Sequence, residues 1–136
     1  MNLRNFLLSL LLVVAAAAVA FAGPIKEGSL SGTSNGSSIL LRWMSEDESG
    51  VVRVEILRAA GANGLFFTVH ETAPKGNSQA YEYLDDSAFR VTGSVYRYQI
   101  KAVYRDGSSV ASAPITVRHN VSSVRRTWGS IKAMFR

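Results

Sequence analysis

Tyr96-Arg97-Tyr98-Gln99-Ile100-Lys101-Ala102-Val103 decides how this chain is read. Tyr96, Tyr98, Ile100 and Ala102 fall on one side of an extended backbone, and Arg97, Gln99 and Lys101 on the other. A period of two is the mark of a half-buried antiparallel strand, because successive side chains point to opposite faces. The rest of the chain reads as material that pairs with this strand or packs on it.

Downstream, Asp106-Gly107 turns the chain and residues 110–117 supply a hairpin partner. Pro114 lies inside that run and cannot donate to a ladder, so an edge position or a bulge is expected. Upstream, Ala80-Tyr81-Glu82-Tyr83-Leu84 is a short strand, and residues 85–94 form a long connection that crosses between sheets. Asn63-Gly64 accepts positive φ at both positions and predicts a tight hairpin between strands at 51–58 and 65–71. In the first of these, Val52, Val54 and Ile56 alternate with Arg53, Glu55 and Leu57. Ile39, Leu41 and Trp43 share one face of a strand at 39–44, and a short strand near 25–30 opens the domain. Seven short strands separated by turn signals, with no helical period before residue 120, point to an all-β, seven-stranded antiparallel β-sandwich.

Over about residues 25–117 these stretches resemble a fibronectin type III domain. Ile39-x-Leu41-x-Trp43 is similar to the family's second strand, and Tyr96-x-Tyr98-x-Ile100-x-Ala102-Val103 to its sixth. Asp106-Gly107-Ser108, followed by Ser112-Ala113-Pro114-Ile115-Thr116-Val117, resembles the final hairpin. The resemblance implies that Trp43, Tyr96 and Tyr98 are structural core. It also makes Tyr96 the corner tyrosine, whose hydroxyl bonds back to the preceding crossover. The chain departs from the pattern at Arg90, flanked by Phe89 and Val91, where the family usually carries a leucine, and no proline opens the first strand. Such a sandwich serves mainly as a spacer or binding module, so the resemblance fixes no function.

The chain has 136 residues and no cysteine, which excludes a disulfide framework, zinc-thiolate sites and thiol nucleophiles. Residues 23–117 carry nine basic and ten acidic side chains. Residues 118–136 carry Arg118, Arg125, Arg126, Lys132 and Arg136 and no acid, so the basic character belongs to the tail. Residues 1–22 have the three parts of a secretory signal peptide: Arg4, an apolar run over 6–19, and Ala20-Phe21-Ala22. Cleavage is expected after Ala22, with Ala18-Val19-Ala20 as a second candidate and an uncleaved membrane anchor as the competing reading. The chain thus divides into a leader (1–22), a sandwich (23–118) and a basic amphipathic tail (119–136), and it is expected outside the cytoplasm, in a periplasm or at a cell surface.

Signatures of catalysis are missing from the sequence. His70 and His119 are far apart and are expected to face solvent. No nucleophile elbow, zinc-binding helix motif or phosphate-binding glycine loop occurs. Glu46-Asp47-Glu48 and Asp85-Asp86 are oxygen-rich enough to suit calcium, but solvated loops are the commoner use of such runs, so neither metal nor cofactor is expected. Arg105-Asp106-Gly107 reads as a turn. Asn35-Gly36-Ser37 and Asn120-Val121-Ser122 match the glycosylation pattern only formally.

Two regions are candidates for binding. Phe66 is out of phase with Leu65, Phe67 and Val69, and with Tyr81 and Tyr83 it would form an exposed aromatic face for carbohydrate or another surface ligand. The competing reading has that face covered by the tail or by a sheet edge. In the tail, Val121, Val124, Trp128, Ile131 and Phe135 recur in steps of three and four, within an arc of roughly 80° on a helical wheel. Arg125, Lys132 and Arg136 flank this stripe, with Arg126 nearby. Gly129 costs such a helix about 1 kcal/mol, and so short a helix needs a surface to fold on. The stripe suits its own sandwich, a protein partner or sorting machinery, or an anionic membrane. Export disfavours a fourth surface, nucleic acid. The expected function is that of a secreted, non-enzymatic binding or structural module. Its tail residues Arg125, Arg126, Trp128, Ile131, Lys132, Phe135 and Arg136 would meet a protein or envelope component. Carbohydrate binding at Phe66, Tyr81 and Tyr83 is the alternative.

Overall fold

A computed structural model describes residues 23–90 and 94–119. The leader, the tail beyond His119 and their expected site residues lie outside them. Eight strands form: β1 (Ser31–Ser34), β2 (Ile39–Met44), β3 (Val51–Ala60), β4 (Phe67–Thr72), β5 (Ala80–Asp85), β6 (Ser94–Tyr104), β7 (Ser109–Ala111) and β8 (Ile115–His119). They make two antiparallel sheets. One is β1-β2-β5. In the other, β4-β3-β6 is completed by β7 and β8, which both pair with β6.

The deciding stretch is the centre of β6. Tyr98 and Ile100 are fully buried, and Tyr96 and Ala102 nearly so, while Arg97, Gln99 and Lys101 lie on the half-exposed face. Ile39, Leu41 and Trp43 of β2 meet Val54 and Ile56 of β3 across the core, with Tyr81 and Val117 beside them. Each aliphatic side chain so buried contributes roughly 1.5–3 kcal/mol.

Four expectations change. Pro114 does more than mark an edge: it breaks the last strand into β7 and β8, giving eight strands instead of seven. Ser112 bridges the break, its N–H donating to the Ile100 carbonyl (2.8 Å) and its hydroxyl accepting the Ile100 N–H (2.9 Å). The opening strand lies at Ser31–Ser34, with only an isolated bridge, Ile25 to Ser45, upstream. Gly32 lets β1 press onto β8, since a Cβ there would stand 2.5 Å from a Val117 methyl. In β3 a register shift between Val51 and Arg53 reverses the phase, so Val51 and Val54 are buried and Val52 is exposed. Finally, the β3–β4 connection is not an Asn-Gly turn. Gly61 supplies the positive φ (73°). Gly64 is required for close approach, because a Cβ there would lie 2.1 Å from the Ala60 carbonyl oxygen.

The sandwich has two distinct ends. Gly23 and Pro24, the turn at residues 45–50 and the 74–79 loop gather at one, where Gly23 and Pro24 carbonyls accept N–H groups of Asp47 and Glu46. The β3–β4 loop, the crossover after β5 and the end of β8 gather at the other, where Gly61 N–H donates to Val95 O (2.7 Å).

Candidate functional site

The aromatic face expected from Phe66, Tyr81 and Tyr83 does not assemble. Period-two alternation along β5 turns both tyrosines into the sandwich. Tyr81 is 4% exposed and stacks on Trp43 with centroids 5.0 Å apart. Tyr83 is half-buried and stacks on His70 of β4 at 4.4 Å, joining the two sheets at their facing edges. Phe66 lies on the outer side of the larger sheet, half-buried, with the Arg97 guanidinium 4.9 Å above its ring. His119 is also placed differently from expectation. It is the last residue of β8, fully buried, with its Nδ1 2.8 Å from Ser34 Oγ and its ring edge-on to Tyr96.

The structure instead assembles two buried polar clusters and one exposed apolar tip. At the end nearer Gly23, the Glu48 carboxylate accepts from the Tyr81 hydroxyl (2.7 and 2.8 Å) and from Gly76 N–H (2.8 Å). The Tyr81 oxygen in turn accepts Lys75 N–H (2.7 Å), and Asn77 Oδ1 accepts Glu48 N–H (2.7 Å). Burial and the adjoining Glu48 carboxylate push the Tyr81 hydroxyl up to about 12, although the Lys75 N–H opposes them. This cluster fastens the 74–79 loop over the Trp43–Tyr81 stack.

At the other end Asp85 is fully buried beside Arg58. One carboxylate oxygen accepts from Arg58 Nη1 (2.8 Å) and the Tyr98 hydroxyl (2.7 Å). The other accepts from Ser87 Oγ (2.7 Å) and Ser87 N–H (3.2 Å). Burial works against the charged form, but bonds from Ser87, Tyr98 and Arg58, with the Arg58 charge, hold the carboxyl below the usual range. The same burial, with Asp85 alongside, pushes the Tyr98 hydroxyl far upward. Three of the five carboxylates considered for calcium are engaged: Glu48 and Asp85 in these clusters, and Asp47 by Ser49 N–H (3.0 Å). Among the described residues, no group of three or more metal-capable side chains converges.

The apolar tip is Leu65-Phe66-Phe67. Leu65 is 88% exposed and Phe67 53%. Arg97 holds the loop beneath them, donating to Gly61 O (3.1 Å) and Gly64 O (2.8 Å) while covering Phe66. Arg58 lies between the rings of Phe67 and Tyr96, at 5.5 and 5.3 Å.

No protein-family model and no curated protein matches the chain. Solved structures do match. An Fn3-like protein from Clostridium thermocellum superposes with a TM-score of 0.52 at 22% identity, over 72% of this chain and 94% of that one. The fold is a fibronectin type III-like β-sandwich. A protein solved as a myokine matches with a TM-score of 0.50 at 14% identity, over 74% of this chain and 99% of its own. A pectate lyase from Erwinia chrysanthemi, solved with tetragalacturonic acid, matches at 0.51 and 24% identity, but the match spans only 27% of that enzyme. At these identities the likeness is one of fold. Within this fibronectin type III-like frame Tyr96 makes the corner bond, donating to Ala88 O at 3.3 Å across the 3₁₀ turn Ser87–Arg90.

Sequence reasoning missed the pairing of Arg58 with Asp85, the role of Arg97, and the exposed Leu65 and Phe67. A signal existed for the ion pair. Asp85 continues the inward phase of Tyr81 and Tyr83, and Arg58 that of Val54 and Ile56, so opposite charges stand on the core faces of two strands. His119 likewise continues the phase of Ile115 and Val117. For Leu65 and Phe67 there was none, because alternation breaks down once the loop runs to Phe66 and β4 begins at Phe67.

Proposed function

We propose that this chain is an exported, non-enzymatic binding or structural module, a fibronectin type III-like sandwich that carries a basic amphipathic segment for docking. The segment engages a protein partner, sorting machinery or an envelope surface through Arg125, Arg126, Trp128, Ile131, Lys132, Phe135 and Arg136. The observation that carries this reading is the partition of charge and period. Residues 23–117 are near neutral with period two, whereas 118–136 hold five basic residues, no acid, and an apolar stripe at helical spacing. The state of the sandwich supports it, because its buried carboxylates, Glu48, Glu55 and Asp85, are consumed by internal bonds. The carbohydrate alternative loses its platform, since Phe66, Tyr81 and Tyr83 occupy three separate environments.

The test is a deletion. His119 completes β8, so the cut belongs after it, removing residues 120–136. In the native host the truncated chain is expected to fold and be exported, but to lose its attachment and appear in the medium, or to lose partner capture. Unchanged location and unchanged capture would end this reading.

A further inference from the structure

We infer that the Leu65–Phe67 tip is the seat on which the amphipathic stripe of residues 121–135 rests in its own chain. The inference uses the same helical reading of the segment as the proposed function, but it concerns a contact made before any partner arrives.

The tip is built for contact. An exposed leucine on a mobile loop would be unremarkable. Here Arg97 ties the loop backbone at two carbonyls and packs on Phe66, while Arg58, fixed by Asp85, packs on Phe67. Apolar side chains on a pre-ordered loop lose little freedom when covered, which favours a docking role.

The location selects the occupant. β8 runs from Ile115 to His119 toward the end that carries the tip, and buried His119 anchors the start of the segment. β8 and β3 flank β6, so the segment starts about 10 Å, two strand spacings, from the strand that feeds the tip loop. A helix over residues 121–135 is about 22 Å long, and the tether keeps the stripe on the order of millimolar around the tip. A competing apolar groove of about 280 Å³ lies between Ile25, Leu30, Pro114 and Ile115. It sits behind the point where the segment leaves, so the chain would have to reverse at once to enter it. Exposed Asp86, next to the Arg58–Asp85 pair, places a carboxylate at the tip end, the sign that suits Arg125 and Lys132.

Disulfide trapping tests this cleanly, because the chain contains no cysteine. The full chain is expressed with its own leader and carries Leu65→Cys together with Ile131→Cys. A second version carries Glu27→Cys with Ile131→Cys, placing the first thiol at the opposite end. Under mild oxidation the Leu65 pair is expected to close within the monomer about tenfold more readily than the Glu27 pair, the advantage of a defined contact over tethered collision. Equal closure of the two pairs, or no closure of either, overturns the proposal. A disulfide-linked dimer also overturns it, by assigning the seat to a second copy. Leu65→Ser with Phe67→Ser gives an independent reading: with Trp43 buried, increased access of a soluble quencher to tryptophan reports release of Trp128, and unchanged quenching counts against the seat. Failure of the trap leaves the deletion result of the proposed function standing, and the reverse also holds.

Discussion

The two ends of β5 bury a carboxylate each, and they do it differently. Near Tyr81, Glu48 is held by neutral donors, a phenol and a backbone amide, over a loop that water can reach. Near Asp85, the carboxylate faces a guanidinium that is itself only 13% exposed, deep beside Tyr98. A charge held by neutral groups can lose them one at a time. A charge held by an opposite charge cannot be removed without stranding its partner. The first end therefore tolerates change and the second does not, and the apolar tip and the β8 end both sit at the intolerant end.

The strongest way to break this contrast is Asp85→Ala. It strands Arg58 and leaves the Tyr98 hydroxyl without its acceptor, and the expected loss is about 3–5 kcal/mol in urea unfolding. Glu48→Ala removes an acceptor from Tyr81 and Gly76 but opens onto a solvated loop, so about 1–3 kcal/mol is expected. Equal losses for the two variants would show that the ends are not distinct. The double change Arg58→Met with Asp85→Leu is expected to recover the part of the Asp85→Ala loss that comes from the stranded Arg58, because apolar groups of similar bulk carry no desolvation cost, while Tyr98 stays without its acceptor.

Acid sharpens the same contrast. The folded-state pKa of Asp85 is depressed, so its contribution is complete above the unfolded value, about 3.9, and is lost as pH falls through the lower folded value. Glu55 is depressed too, chiefly by its bond from Thr68, and adds to the same slope. Wild-type stability is therefore expected to fall as pH drops below about 4, and Asp85→Asn to show a shallower fall, whatever its stability at neutral pH. The measurement is the urea midpoint as a function of pH for both proteins, and parallel curves would remove Asp85 from the account.

Much of this arrangement was legible in the sequence wherever side chains alternate. β6 and β2 take the faces their spacing predicts, since one buried face fixes register through every residue of a strand. Legibility fails where one residue is added or a strand is interrupted: the bulge at Val52, the break at Pro114 and the Gly61 turn each shift phase, and later faces cannot be counted across them. The candidate site suffered most. Tyr81 and Tyr83 lay in a strand read in the right place but assigned to the wrong face, and Leu65 and Phe67 lay where the phase was lost. Asp85 was read as part of a solvated loop and Arg58 only as the end of a strand, because their value depends on meeting each other across the sandwich, which no single strand displays.

The smallest expected effects lie between the two ends. Tyr81→Phe removes one hydroxyl from the tolerant end and keeps the ring on Trp43, so about 1 kcal/mol is expected, whereas Tyr98→Phe takes a donor from the buried Asp85 and should cost more. Arg42 and Glu82 pair at 3.1 Å on the outer face of the smaller sheet, both more than half exposed. Arg42→Ala is expected to change stability by no more than about 0.5 kcal/mol, because water and salt screen such a pair and two long side chains regain freedom when it is lost. A larger loss would mean that Arg42 acts by covering Met44, its neighbour on the same face, with its aliphatic stem, beside the shallow surface they share with Ser29 and Glu82. Arg42→Met, which keeps the stem and removes the charge, separates the two: full recovery assigns the effect to packing, and none assigns it to the ion pair.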